Sequence, residues 1–258
     1  MGLKPAPQKP FTYIVVIGFV LLTQFCRASV VVILRSGDKY WIAVDSMKSN
    51  DAGTKHEYVC KIFPIGNFYW TATATPYSDP HTGFSLDNLI KEAESPKSSV
   101  TDVAKAFAQK SQKPVADEVT YMRDHYQTAY AELMVYKPAN LIKVFFFGIE
   151  NRQPSIIGVV ISAEEGDNRE VVIRSSVTDF SLLSRNGDFL TTGPAAIPFV
   201  RANRSRIKSD PVGLIRDAVI AEEKADPNGK GGTVAIMEVS SSGVRWISRG
   251  ECQQKNKR

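Results

Sequence analysis

The chain is poor in the residues that usually announce a site. It holds three cysteines and three histidines in 258 residues, and no internal repeat. Cys60 and Cys252, the two cysteines outside the N-terminal segment, are too few for a disulfide framework, although an oxidising compartment permits that pair to bond. His56, His81 and His125 lack companion ligands at metal spacing, so neither a metal nor another cofactor is expected. Long apolar runs are missing as well. The run from Phe11 to Leu22 has twelve residues, where a membrane-spanning helix needs about 20.

What the N-terminus does have is a three-part layout. Residues 1–10 carry Lys4 and Lys9 and no acid, the apolar run follows, and the small residues Cys26 and Ala28 stand three before and one before Ser29. That is the arrangement of a secretory signal peptide cut after Ala28, and it predicts an exported protein, periplasmic or secreted. A retained membrane anchor is the rival reading; a lipoprotein signal is disfavoured because Phe25 stands directly before Cys26. Cleavage leaves 230 residues, enough for one sizeable core. It also removes Lys4, Lys9 and Arg27, which takes the formal charge from +5 to +2. So small an excess argues against a nucleic-acid partner. The expected organisation is a leader over 1–28, one domain over 29–250 and a polar tail over 251–258, with a membrane involved only if the leader is retained.

Hydrophobic periodicity orders the domain. Ser29 to Leu34 and Tyr40 to Val44 flank the turn signal Ser36-Gly37-Asp38 and read as a hairpin, with further strands around Glu57 to Phe63 and Phe68 to Ala74. "PYSDPHTG" then breaks the pattern. Three amphipathic segments follow, around Leu86 to Ala93, Val100 to Phe107 and Val115 to Met134. Lys143 to Gly148, Ile156 to Ile161 and Val171 to Ser175 read as strands, and Arg201, Arg204, Arg206 and Lys208 as a solvated loop. Asp210-Pro211 opens a helix with an acidic cap and a first-turn proline. Thr233 to Val239 and Val244 to Ser248 form a closing hairpin. Strand groups separated by helices predict an α+β fold of two stacked, mostly antiparallel sheets covered by helices.

A mature chain beginning at Ser29 has a particular chemistry. Its α-amine, with an ordinary pKa of about 7.7 to 8.0, lies beside its own hydroxyl and serves as general base for it. Such a nucleophile needs a cation, a carboxylate to hold the cation and an amide donor for the oxyanion. Asp45 lies sixteen residues after Ser29, and Lys61 sixteen after Asp45. A lysine between Cys60 and Ile62 in an apolar strand wants a buried partner, and Asp45 is the candidate.

These residues carry a resemblance. The two spacings, with "GDKYWIAVDS", "CKIFPI", "WTATATPYSD" and "ADPNGKGGTVAIMEVSSSGVRWI", are similar to the proteasome β-subunit type of the N-terminal-nucleophile hydrolase superfamily; residues 83–190 match only in their order of elements. The resemblance implies a four-layer αββα sandwich. It also implies amide-bond hydrolysis of a peptide or small amide through an acyl-Ser29 intermediate, and a homo-oligomer. The roles it implies are nucleophile for Ser29, cation for Lys61 and its carboxylate for Asp45, oxyanion amide for Thr75, and supporting acid for Asp226, with Asp79 opening the first long helix. The chain departs from the family pattern at several places. Ser29 replaces the usual threonine, Met47 a frequent basic residue and Thr75 a glycine, and Gly229 followed by Lys230 stands where a serine is usual. These departures keep open a second reading, a catalytically inactive scaffold or binding protein of the same fold, and an uncleaved leader would give a third, a tethered domain whose Ser29 has no free amine.

Overall fold

Strand β1 (Val31–Ser36) and strand β2 (Lys39–Val44) pair from Val31↔Val44 to Ser36↔Lys39. The two-residue turn between them contains Gly37 at φ 65°, a backbone angle that costs glycine little. The computed structural model describes residues 29–49, 56–135, 138–182 and 188–252. The expected leader and residues 253–258 of the expected tail lie outside them.

Beyond β2, strands β3 (Met47–Ser49) and β4 (His56–Tyr58) form a small pair, β5 (Phe63–Ile65) and β6 (Phe68–Ala74) a hairpin, and β7 (Ser78–Asp79) and β8 (Phe84–Ser85) a second small pair. Helices α1 (Leu86–Ala93), α2 (Val100–Lys110), α3 (Gln112–His125) and α4 (Gln127–Leu133) follow. Then come the long strands β9 (Ala139–Glu150), β10 (Gln153–Glu165) and β11 (Val171–Asp179), and the short β12 (Asp188–Thr191). Helices α5 (Ala196–Ala202), α6 (Arg206–Ser209) and α7 (Pro211–Ala225) lead into the last hairpin, β13 (Ala235–Ser240) and β14 (Gly243–Ser248). Local signals set several boundaries. Ser99 and Asp102 form a reciprocal capping box on α2. Asp210 accepts from the Gly213 N–H at 3.0 Å, with Pro211 in the first turn of α7.

Two five-stranded antiparallel sheets carry the domain, in the orders β12-β1-β2-β13-β14 and β11-β10-β9-β6-β5. Period-2 alternation sends successive side chains to opposite faces, and here both faces of each sheet are covered over much of their area. Val31, Ile33, Tyr40, Ile42 and Val44 join Phe145, Phe147, Ile156 and Met237 in a layer between the sheets. The alternate residues Val32, Leu34, Trp41 and Ala43 pack with Leu214, Ile215, Ala218 and Val219 of α7. On the second sheet Ile142, Val144, Phe146, Val159 and Ile161 pack with Leu86, Ile90, Val103, Phe107 and Val119 of α1 to α3. The chain is thus an α+β protein with antiparallel sheets and seven helices among the described residues.

Four local readings change. The strand expected over Glu57 to Phe63 is interrupted, because residues 60–62 leave the ladder, Val59 still donating to the Ser46 carbonyl at 2.9 Å. The segment Val115 to Met134 is two helices broken at Tyr126, whose ψ of 58° is not helical. Arg201 lies in α5, and Arg206 and Lys208 in α6, so the run is largely helical rather than a loop; Arg201, Arg204 and Lys208 are exposed, as expected, while Arg206 bridges Asp210 and Asp217, both at 2.8 Å. Lastly, the tail is tied down as far as Cys252, which is buried and bonded to Cys60. Ile42→Ala, which empties a fully buried position between the sheets, is expected to cost about 2 to 5 kcal/mol in urea unfolding. Val177→Ala, on the exposed side of β11, should stay within about 0.5 kcal/mol of wild type.

Candidate functional site

The β1–β2 register explains the first of the two spacings. Continued one step past Val31↔Val44, it sets Val30 opposite Asp45, and the Val30 N–H donates to Asp45 Oδ1 at 3.0 Å. Asp45 is fully buried. Its other oxygen, Oδ2, meets Lys61 Nζ at 3.0 Å, and Lys61 also donates to the Met47 carbonyl. The irregular course of residues 60–62 accompanies this pair. A ladder strand sends its side chains perpendicular to the sheet, whereas here the chain turns so that a lysine 8 % exposed reaches a carboxylate. The Cys60–Cys252 disulfide fixes the residue immediately before Lys61 to the C-terminal turn Gly250–Cys252.

Burial sets the electrostatics of the pair. Desolvation pushes the Lys61 ammonium below its ordinary value, against the opposing pull of the Asp45 charge. It pushes the Asp45 carboxyl upward, and Lys61 with the Val30 and Gly231 backbone amides opposes that shift. An ammonium offers three hydrogens, and Lys61 uses two of them among the described residues.

Ser29 stands at the edge of this pair, partly buried. It is linked to Asp45 through the N–H of its neighbour Val30, and no hydrogen bond joins its hydroxyl to Lys61 among the described residues. Its carbonyl accepts from the Thr192 hydroxyl at 3.3 Å, and Thr192 Oγ1 accepts from the Val31 N–H at 2.9 Å. Ser29, Asp45 and Lys61 are therefore brought to one end of the first sheet.

The other two expected residues are placed differently. Thr75 follows the end of β6, and its N–H donates to the Leu141 carbonyl at 3.0 Å, extending the β6–β9 ladder by one bond. In this structure the Thr75 amide is thus engaged by the ladder. Asp226 caps the C-terminus of α7, its carbonyl accepting from Gly229 and Lys230 at 3.2 and 3.0 Å and its carboxylate lying over Gly229. It shapes the turn that delivers Gly231, whose carbonyl accepts from the N–H groups of Ser46 at 3.2 Å and Met47 at 2.9 Å. Asp79, expected to open the first long helix, accepts from the His81 N–H at 2.7 Å.

Three further residues join the site without a sequence signal. Ser46 Oγ accepts from the Thr233 N–H at 2.9 Å and fixes the segment after Asp45. Thr192 follows β12, a strand the periodicity does not reveal. Glu223 on α7 has a buried Oε1 with no hydrogen-bond partner among the described residues, and burial and the Asp45 charge both push its carboxyl upward. It lines a groove of about 930 Å³ that also touches Arg216, Gly232, Thr233 and Arg249. Among the described residues no group of histidine, cysteine and carboxylate side chains could hold a metal ion. No family model matches this chain, and no curated protein matches its sequence.

Asp45→Asn leaves Lys61 buried without its counter-charge, so the variant should lose about 3 to 5 kcal/mol of stability in urea unfolding. Because the Asp45 charge is what opposes burial, Lys61 should also titrate lower in Asp45→Asn than in wild type, and in both below 10.5. Following the Lys61 side-chain resonances against pH reads this directly; an unchanged or higher midpoint contradicts it.

Proposed function

We propose that this protein is an exported N-terminal-serine hydrolase of amide bonds, built as a four-layer αββα sandwich of the N-terminal-nucleophile type. The observation that carries the reading is the buried Lys61–Asp45 pair held to the start of β1 by the Val30 amide. Among the described residues Lys61 makes two hydrogen bonds with its three hydrogens, and Ser29 directly precedes Val30, just before β1. The three apolar layers fit the proposed sandwich, and a Cys60–Cys252 disulfide suits an oxidising compartment.

In this mechanism the leader is removed after Ala28 and the freed α-amine of Ser29 takes the hydroxyl proton. The Ser29 oxygen attacks the substrate carbonyl carbon, with Lys61 stabilising the developing alkoxide and Asp45 holding Lys61 charged and aimed. Collapse of the tetrahedral intermediate breaks the C–N bond. The amine departs with the proton, leaving an ester on Ser29, and water then attacks that ester with the α-amine again accepting the proton. Removal of the leader and activation are one event. The engaged Thr75 amide favours the second reading, a non-catalytic scaffold or binding protein of the same fold, because the oxyanion then lacks its expected donor.

Two versions of the protein separate the readings. One begins at Ser29, and the other keeps a single alanine before it, which leaves the hydroxyl in place and moves the free amine one residue away. The first is expected to form a covalent adduct at Ser29 with an acylating amide-hydrolase inhibitor, and the second is not, as read by intact mass. Equal labelling removes the α-amine from the mechanism; no labelling of either leaves the non-catalytic reading.

A further inference from the structure

A second buried ion pair lies at the same end of the first sheet, and the chemistry proposed above does not use it. Lys230 Nζ meets Glu222 Oε2 at 2.7 Å, with side chains 9 % and 1 % exposed. Taking two such charges out of water costs several kcal/mol per ion, so a buried pair is weak evidence for stability as such. The contacts on either side of it indicate a different use.

On the Glu222 side, Oε1 accepts from the Ala196 N–H at 2.7 Å. The backbone of Gly193 lies so close to this carboxylate that a Cβ there would collide with it. The preceding residue, Thr192, is hooked onto β1: its N–H donates to the Val31 carbonyl at 3.0 Å, and its hydroxyl bonds the Val31 N–H and the Ser29 carbonyl. On the Lys230 side, the next residue is Gly231, whose carbonyl receives the N–H groups of Ser46 and Met47. Those two residues directly follow Asp45. One ion pair therefore joins the segment that straps Ser29 to the segment that straps Asp45.

We infer that the Glu222–Lys230 pair is a positioning element that sets the placement of Ser29 relative to the Asp45–Lys61 pair. Its consequence for catalysis rests on the hydrolase reading, whereas its geometric role does not. Lys230 and Gly229 stand where the resembled family has a serine, so a buried ion pair here holds the turn that follows Asp226.

The test uses the protein beginning at Ser29, with Lys230→Met, Lys230→Arg and Gly193→Ala. The last keeps both charges and drives a methyl group into the Glu222 carboxylate. Two quantities are read: the backbone amide resonances of Val30, Val31, Ser46 and Met47, with those of β11 as a distant control, and the pH profile of covalent labelling at Ser29. Lys230→Met is expected to shift the amides on both straps and leave β11 in place. It should slow labelling about 10- to 100-fold, the scale of a small misplacement of a reacting group, and displace the midpoint of the profile. Lys230→Arg, which retains the pair, should recover most of the rate and the wild-type midpoint. A folded Lys230→Met with wild-type amide positions overturns the inference, and so does a shift confined to one strap. If Lys230→Met does not fold, Gly193→Ala decides by the same amides. If wild type is not labelled at all, the hydrolase reading fails, while the amide shifts still decide the positioning role.

Discussion

The rest of the site is arranged around one buried interaction, the Asp45–Lys61 ion pair. A carboxylate with no exposure and a lysine that is nearly buried have to meet and be hydrogen-bonded, because either alone in an apolar setting is strongly unfavourable. The course of residues 60–62, which leave the ladder between β4 and β5, and the Met47 carbonyl that accepts from Lys61 both meet that requirement. The N–H of the fully buried Val30, just before β1, is satisfied by the other Asp45 oxygen. The Cys60–Cys252 disulfide, closing a sequence separation of 192 residues, then limits where the lysine can go.

The division of labour between sheets and loops follows. The apolar layer between the sheets and the helices packed outside them make a stiff frame, and a close-packed frame holds side chains at its strand ends in place. Residues of the candidate site lie at or beyond strand ends: Ser29 before β1, Asp45 after β2, Thr192 after β12 and Gly231 before β13. Loop segments supply the fine control, since Ser46, Thr192 and Thr233 all enter hydrogen bonds there. Thr75 belongs to a different strand end, where its amide continues the β6–β9 ladder. For a hydrolase this is the costly departure, because an oxyanion donor has to be supplied from elsewhere.

Much of the frame was legible because its signals are local. The Gly37 turn, the apolar runs of β1, β2, β6 and β13 and the Asp210-Pro211 start of α7 act through residues adjacent in sequence. The unread pieces have weak local patterns. Asp188–Thr191 is a strand because β1 offers it an edge, and α6 is only four residues long, held by Arg206 to Asp210 and Asp217. The break at Tyr126 interrupts an apolar periodicity that runs on across it.

The site divides in the same way. The sequence by itself determined that β1 and β2 form a hairpin around Gly37, and the register of that hairpin in the structure sets Asp45 beside the start of β1. It also marked Lys61 as a charge in need of a partner. Only the tertiary structure decided that Lys61 and Asp45 meet, that the Thr75 amide is occupied by Leu141, and that Glu222 and Lys230 join two straps. The physical reason is that these are contacts between segments with no shared register. Their geometry is set by how the packed layers bring strand ends together, and no periodicity along the chain encodes that.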